Sequence, residues 1–244
     1  MTTRPLFRPD LPDTATTPGV KQDFIPFQWV PGFAKSRQEQ CLANLQKAIA
    51  NSGLAKRPLE ISTRSDNPYG QALSALRLEL GGVPIEVHYQ SAKVYPDGLG
   101  PHPEWLNLSP TEYKAEIREF KERVAQNRLR LEAFVYEKQS WPLNPPHAFY
   151  DWLYCTALCE NPQLAHQLLS YDGFTDLAFN PMRSYNSQAY AAAFYASLAA
   201  FGLLEEALSS HTYFFELHPH EPLIHPKSNK RSHTNPYKEL LLDL

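Results

Sequence analysis

The chain has 244 residues, 43% of them hydrophobic, with a formal net charge of -3. These totals fit one large domain or two small ones, exclude a disordered chain, and argue neither for nor against a nucleic-acid partner. No window approaches the roughly 18 apolar residues of a membrane span, no secretory signal is expected at the Pro/Asp/Thr-rich start, and three cysteines fit a reducing cytosol, so a cytoplasmic protein is expected.

Residues 1–22 hold Pro5, Pro9, Pro12 and Pro18 with little periodicity and read as an extended arm. Phe24 to Phe33, rich in aromatics and prolines, reads as an irregular strand or loop. Ser36-Arg37-Gln38-Glu39 has the form of a capping box and predicts a helix start. Leu42, Leu45 and Ile49 follow at helical spacing, and Asn51-Ser52-Gly53 ends the run. Leu59 to Thr63 predicts a short strand. Leu76, Leu78 and Leu80, alternating with Arg77 and Glu79, predict a half-buried one. Gly81-Gly82 supplies a turn that tolerates positive φ.

The stretch Ile85 to Lys93 reads as a helix with Glu86, Gln90 and Lys93 in one row, at i, i+4 and i+7. From Thr111 to Glu132 there are six Lys/Arg and five Asp/Glu, the pattern of a solvated helix. Phe134, Tyr136 and Trp141 lead into a proline-rich loop. Three helices follow: one striped by Phe149, Trp152, Leu153 and Thr156; one capped by Asn161 with Pro162 at its first position; and an alanine-rich one from Ser187 to Leu203, placed centrally. Cys155 and Cys159 fit small buried hydrophobes better than a metal pair. Glu205 to Leu217 predicts a last helix. The expected architecture is mainly α with a small β element (α+β), as one domain over residues 23–217. An arm (1–22) and a flexible tail (218–244) flank it.

No phosphate-binding loop, dinucleotide fingerprint or nucleophile elbow is present. His218, His220, His225 and His233 fall in the tail, where no scaffold would hold a metal. Two segments remain. One is Leu73-Ser74 followed by the Glu86, Gln90, Lys93 row. The other, Tyr171 to Pro181 followed by Asn186 to Ala189, collects two carboxylates, three aromatics and several amides. Each has a plain structural alternative: an exposed helix pair of small value for Glu86 and Lys93, and a well-capped turn for the second segment.

The run Leu-Ser, a turn, then hydrophobic-Glu-x-x-Tyr-Gln-x-x-Lys resembles the core signature of the NADAR (YbiA-like) family. Trp141-Pro142-Leu143, Phe149-Tyr150-Asp151-Trp152-Leu153-Tyr154, Phe174-Thr175-Asp176 and Phe179-Asn180-Pro181 are similar to one branch of it, the NADAR antitoxins associated with DarT-type DNA ADP-ribosyltransferase toxins. The resemblance spans roughly residues 24 to 210. Ser74-Ala75-Leu76 stands where the family has Ser-Asn-Phe, and the family's later Trp-Gly is absent.

The resemblance implies an ADP-ribosylglycohydrolase that hydrolyses the N-glycosidic bond between ADP-ribose and guanine in DNA. Its partners would be ADP-ribosylated DNA, single-stranded or duplex, the ADP-ribose product and a DarT-type toxin, with no membrane and no metal or other cofactor. The alternatives are an N-glycosidase acting on phosphorylated riboflavin-pathway intermediates, or a non-catalytic module that binds ADP-ribose or the toxin. Glu86, Lys93 and Asp176 are the implied catalytic residues. Ser74, Gln90, Trp141, Phe174, Phe179, Asn180 and Asn186 are the implied substrate contacts. The basic residues Lys227, Lys230 and Arg231 favour a nucleic-acid substrate.

Overall fold

A computed structural model describes residues 2–32, 34–145, 147–179 and 187–219. Its largest sheet has four strands in the order β2-β1-β9-β3. These are β1 (Thr2–Pro9), β2 (Val20–Phe27), β3 (Pro58–Glu60) and β9 (Gly173–Thr175). β1 pairs antiparallel with β2 along its whole length, and Leu6 and Phe7 pair with Thr175 and Phe174. β3 runs parallel to β9, with Leu59 opposite Phe174.

Within the stretch read as an extended arm, Thr2–Pro9 is strand β1 built into the sheet, and residues 10–19 turn the chain back into β2. Prolines are tolerated because β2 is an edge strand and β9 covers β1 only at Leu6 and Phe7, leaving one side of Pro5 without a ladder to complete.

The two faces of β1 bury different cores. Leu6 packs with Ile25, Phe27, Leu45 and Ile49 beneath α1 (Lys35–Ser52). Phe7 meets Phe179 and Tyr190 on the opposite side, where α5 (Ala148–Glu160) and the alanine-rich α7 (Gln188–Ala200) pack together. Ten of the thirteen α7 residues are buried. Alanine side chains let neighbours approach on every side, so the expected central placement is what the structure has.

Some local expectations need correction. α1 is capped by Ala34 without a side-chain bond, so the Ser36–Glu39 box does not form. Among the described residues a capping box forms instead at Ser109–Glu112, at the head of α4 (Pro110–Gln126). The Leu76 to Leu80 stretch is mostly a turn that becomes strand only at β4 (Glu79–Leu80), with Leu76 62% exposed. β4 pairs with β5 (Val83–Pro84) through Gly81 and Gly82, whose φ values of 58° and 79° need the missing side chain. The last predicted helix is two, α8 (Leu204–Ser209) and α9 (His211–Leu217). His218, assigned to a flexible tail, is 1% exposed, held by α5 and α7. The remaining elements are α2 (Pro68–Ala72), α3 (Ile85–Ser91), β6 (Lys93–Val94), β7 (Ala133–Tyr136), β8 (Gln139–Trp141) and α6 (Pro162–Leu168).

Candidate functional site

α3 lies between two cores. Ile85 and Tyr89 face the main core, and Val87 faces a second cluster of Tyr95, Leu99, Trp105, Phe120 and Val124 beneath α4. Its start is fixed by the preceding turn: Ile85 N–H donates to the Leu78 carbonyl and Glu86 N–H to that of Ala75. His88 clamps the other side. Its Nε2 lies 2.9 Å from the Leu80 carbonyl, so that nitrogen carries the proton, and Nδ1 accepts from the Tyr136 hydroxyl at 2.9 Å.

The predicted row of three polar residues divides into two and one. Glu86 and Gln90 share a face of α3, and Gln90 Nε2 donates to Glu86 Oε1 at 2.9 Å. Oε1 of Gln90 is buried and has no partner among the described residues. The helix stops at Ser91, so Lys93 belongs to β6, opposite Phe134 of β7. Its ammonium lies 5.0 Å from the Tyr89 ring centroid, and the residue is only 5% exposed. Desolvation pushes its pKa down to about 8, against the opposing pull of Glu86 and with a smaller push from Lys121. Gly100 makes this placement possible. It sits at φ 83°, and a Cβ there would collide with the Lys93 carbonyl oxygen.

The described part of the 171–189 segment closes turns and also buries a carboxylate. Asp172 accepts from the backbone N–H groups of Lys56 and Arg57, the work of a turn. Asp176 also closes a turn, with Oδ1 accepting from Ala178 and Phe179, yet it is buried. Burial pushes its pKa up to about 6, against those two N–H groups, Gln188 and Arg4. Beside it lies Glu60, absent from the sequence-derived set. Burial, then the Asp176 charge, pushes Glu60 up to about 8 while it accepts from Thr175 Oγ1 and Leu177 N–H. Arg4 stands over Trp29 and donates to the Leu177 carbonyl, supplying the nearby positive charge.

Tyr150 and Gln188 tie the two segments together. The buried Tyr150 hydroxyl is pushed well above its usual pKa, first by desolvation and then by the charges of Glu86, Tyr154, Asp176 and Asp151. It therefore sits within the field of both carboxylates. Gln188 accepts from Ala75 N–H, donates to the Ile61 carbonyl and hydrogen-bonds Asp176. Tyr113 on α4 also feels Glu86, so the charged helix turns an apolar face of Tyr113, Ile117, Phe120 and Val124 inward.

A DarT1-associated NADAR antitoxin family model matches residues 2–227. The chain belongs to this family. No curated protein sequence matches it. Among the described residues no helix is long and apolar enough to cross a membrane.

In this NADAR chain Glu86 and Gln90 share a face of α3, Lys93 on β6 feels the Glu86 charge, and the charges of Glu86 and Asp176 both act on the Tyr150 hydroxyl. The remaining predicted contacts sit elsewhere in the packing. Ser74 is buried with its hydroxyl donating to the Gln71 carbonyl. Phe174 is fully buried in β9, and Phe179 packs against Phe7. Trp141 is 2% exposed among Phe149, Trp152 and His211. Asn180 and Asn186 lie outside the described residues. Glu60 carried a sequence signal: it is a lone carboxylate between Leu59 and Ile61 in a short apolar strand. Tyr150 had none beyond its place in the Phe-Tyr-Asp-Trp-Leu-Tyr block.

Proposed function

We propose that this chain is a hydrolase that removes ADP-ribose from guanine bases in DNA, reversing the product of a DarT-type toxin. The observation that carries the reading is Lys93, a buried lysine beside Glu86 with no carboxylate at salt-bridge distance among the described residues. A lysine retained in such a place, with its pKa drawn towards neutrality, suits a nucleophile better than a structural cation.

The reaction breaks the bond between the anomeric carbon of ribose and a guanine nitrogen, placing positive charge on the sugar. Glu86, at the first turn of α3, would hold that charge. The free Oε1 of Gln90 would accept from a ribose hydroxyl. The neutral Lys93 amine would attack the anomeric carbon as the guanine nitrogen leaves with a proton. Ring opening would give an iminium, and water would release ADP-ribose and regenerate the amine. The carboxyls of Glu60 and Asp176, which between them retain a proton near neutral pH, support a proton-donor role for this side of the site.

The test incubates ADP-ribosylated DNA with wild type and Glu86→Gln. Release by wild type, slowed about 100-fold or more in the variant, is expected. Equal release by both removes the assigned role of Glu86, and release by neither removes the reading.

A further inference from the structure

One residue along α5 from Tyr150, about 100° round the helix, Asp151 enters a second cluster that the proposed reaction does not use. His147 Nδ1 lies 3.1 Å from Asp151 Oδ2 and 3.4 Å from His218 Nε2, and His218 Nε2 lies 2.8 Å from the same Oδ2. His147 and Asp151 share a helix face at i, i+4. His218 arrives from the end of α9. All three are at most 1% exposed, and the rings of Tyr190, Phe194 and Phe214 surround them.

A carboxylate in such surroundings needs a compensating cation. Among the described residues no Lys or Arg pairs with Asp151, and its Oδ1 has no partner at all. His218 Nδ1 lies 3.1 Å from the Pro219 carbonyl, so it carries the proton and donates. That leaves the Nε2 lone pair facing a carboxylate oxygen at 2.8 Å. Two acceptors at that separation repel unless a proton or a metal ion lies between them.

The geometry points to a binding site for a divalent transition-metal ion of the zinc class, held by His147 Nδ1, Asp151 Oδ2 and His218 Nε2. Two ligands about 2.1 Å from a tetrahedral zinc ion stand about 3.4 Å apart, close to the observed triangle, which opens by a few tenths of an ångström to admit the ion. Two imidazoles and one carboxylate suit zinc and its neighbours rather than magnesium or calcium, which prefer all-oxygen sites. The Pro219 carbonyl on His218 is the outer hydrogen bond that orients a ligating histidine. Such an ion would fasten the end of α9 to the start of α5.

The full chain, stripped with a chelator and desalted, is titrated with zinc chloride against a chromophoric competitor. One zinc per chain is expected, with a melting temperature raised by about 5 °C and no response to magnesium. His147→Gln and Asp151→Asn should each weaken zinc binding about 100-fold or more, while His225→Gln/His233→Gln should leave it unchanged. Cobalt loaded into wild type should show the intense visible bands of a tetrahedral site, a readout that needs no variant. Absence of zinc binding at micromolar concentration, weak octahedral cobalt bands, or zinc that follows the tail histidines would each overturn the assignment.

Discussion

Gln90 spends one amide hydrogen on Glu86, one helical turn away, and keeps its own carbonyl oxygen buried without a partner among the described residues. A buried acceptor left open is costly unless something donates to it when the site is filled. Gln90→Leu should therefore fold with unchanged or higher melting temperature. It should lower kcat/KM for ADP-ribosylated DNA about 10- to 100-fold, read by initial rates of ADP-ribose release. Full activity in this variant would remove Gln90 from the substrate contacts.

Lys93 links stability to pH in a defined direction. In the unfolded chain its amine holds a proton up to 10.5, and in the folded chain only to about 8. Between these values the unfolded state binds more protons, so stability rises with pH across that window, and below it the buried ammonium is unfavourable. Lys93→Met should raise stability at pH 7 by about 1 to 3 kcal/mol in urea unfolding while abolishing turnover. In wild type, activity should climb through pH 8 and then level off. Borohydride added during turnover should fix an ADP-ribosyl group to the protein, and to no Lys93 variant. Turnover without such trapping would leave Lys93 an electrostatic role only.

Glu60 acts in the opposite sense. Its folded pKa, raised from 4.5 to about 8, means the folded chain holds the extra proton, so this group's contribution to stability declines as pH rises from about 4.5 to 8. Glu60→Gln should flatten that decline and leave the protein more stable than wild type at pH 8. The Thr175 hydroxyl turns to accept from the new amide. Denaturant midpoints measured across that pH range test this, and an unchanged slope would show that Glu60 ionises normally.

Gly100→Ala should cost more than Gly98→Ala. Both positions have positive φ, but a Cβ at Gly98 meets nothing within 4 Å, whereas at Gly100 it strikes the Lys93 carbonyl. The first should lose about 3 kcal/mol or more and most activity, the second about 1 kcal/mol with activity retained. Equal melting temperatures for the two variants would refute the contact.

The helices of this fold were legible because their apolar spacing is local: Leu42, Leu45 and Ile49 declare one face of α1, and the alanines of α7 its burial. The Glu86–Gln90 pair was legible for the same reason. β1 was not, since Pro5 and Pro9 argue against a strand unless one knows that β9 covers only two of its residues. Lys93 was placed on a helix because the row continues at i+7; the chain leaves the helix at Ser91 because β6 pairing with Phe134 wins over one more turn. Glu60 and His218 were missed because their partners, Asp176 and Asp151, are far along the chain, and no spacing rule reports a tertiary neighbour.

The position of β1 also sets the order of assembly. β1 lies inside the sheet, and one of its two neighbours, β9, is made only when residues 173–175 appear. A nascent chain halted at residue 170 would hold β1 against β2 with Leu6 and Phe7 still lacking their second ladder, and β3 with no strand beside it. Long-range closure of this kind is slow. Protection of the Phe7 amide from exchange should therefore appear only after translation has passed residue 175.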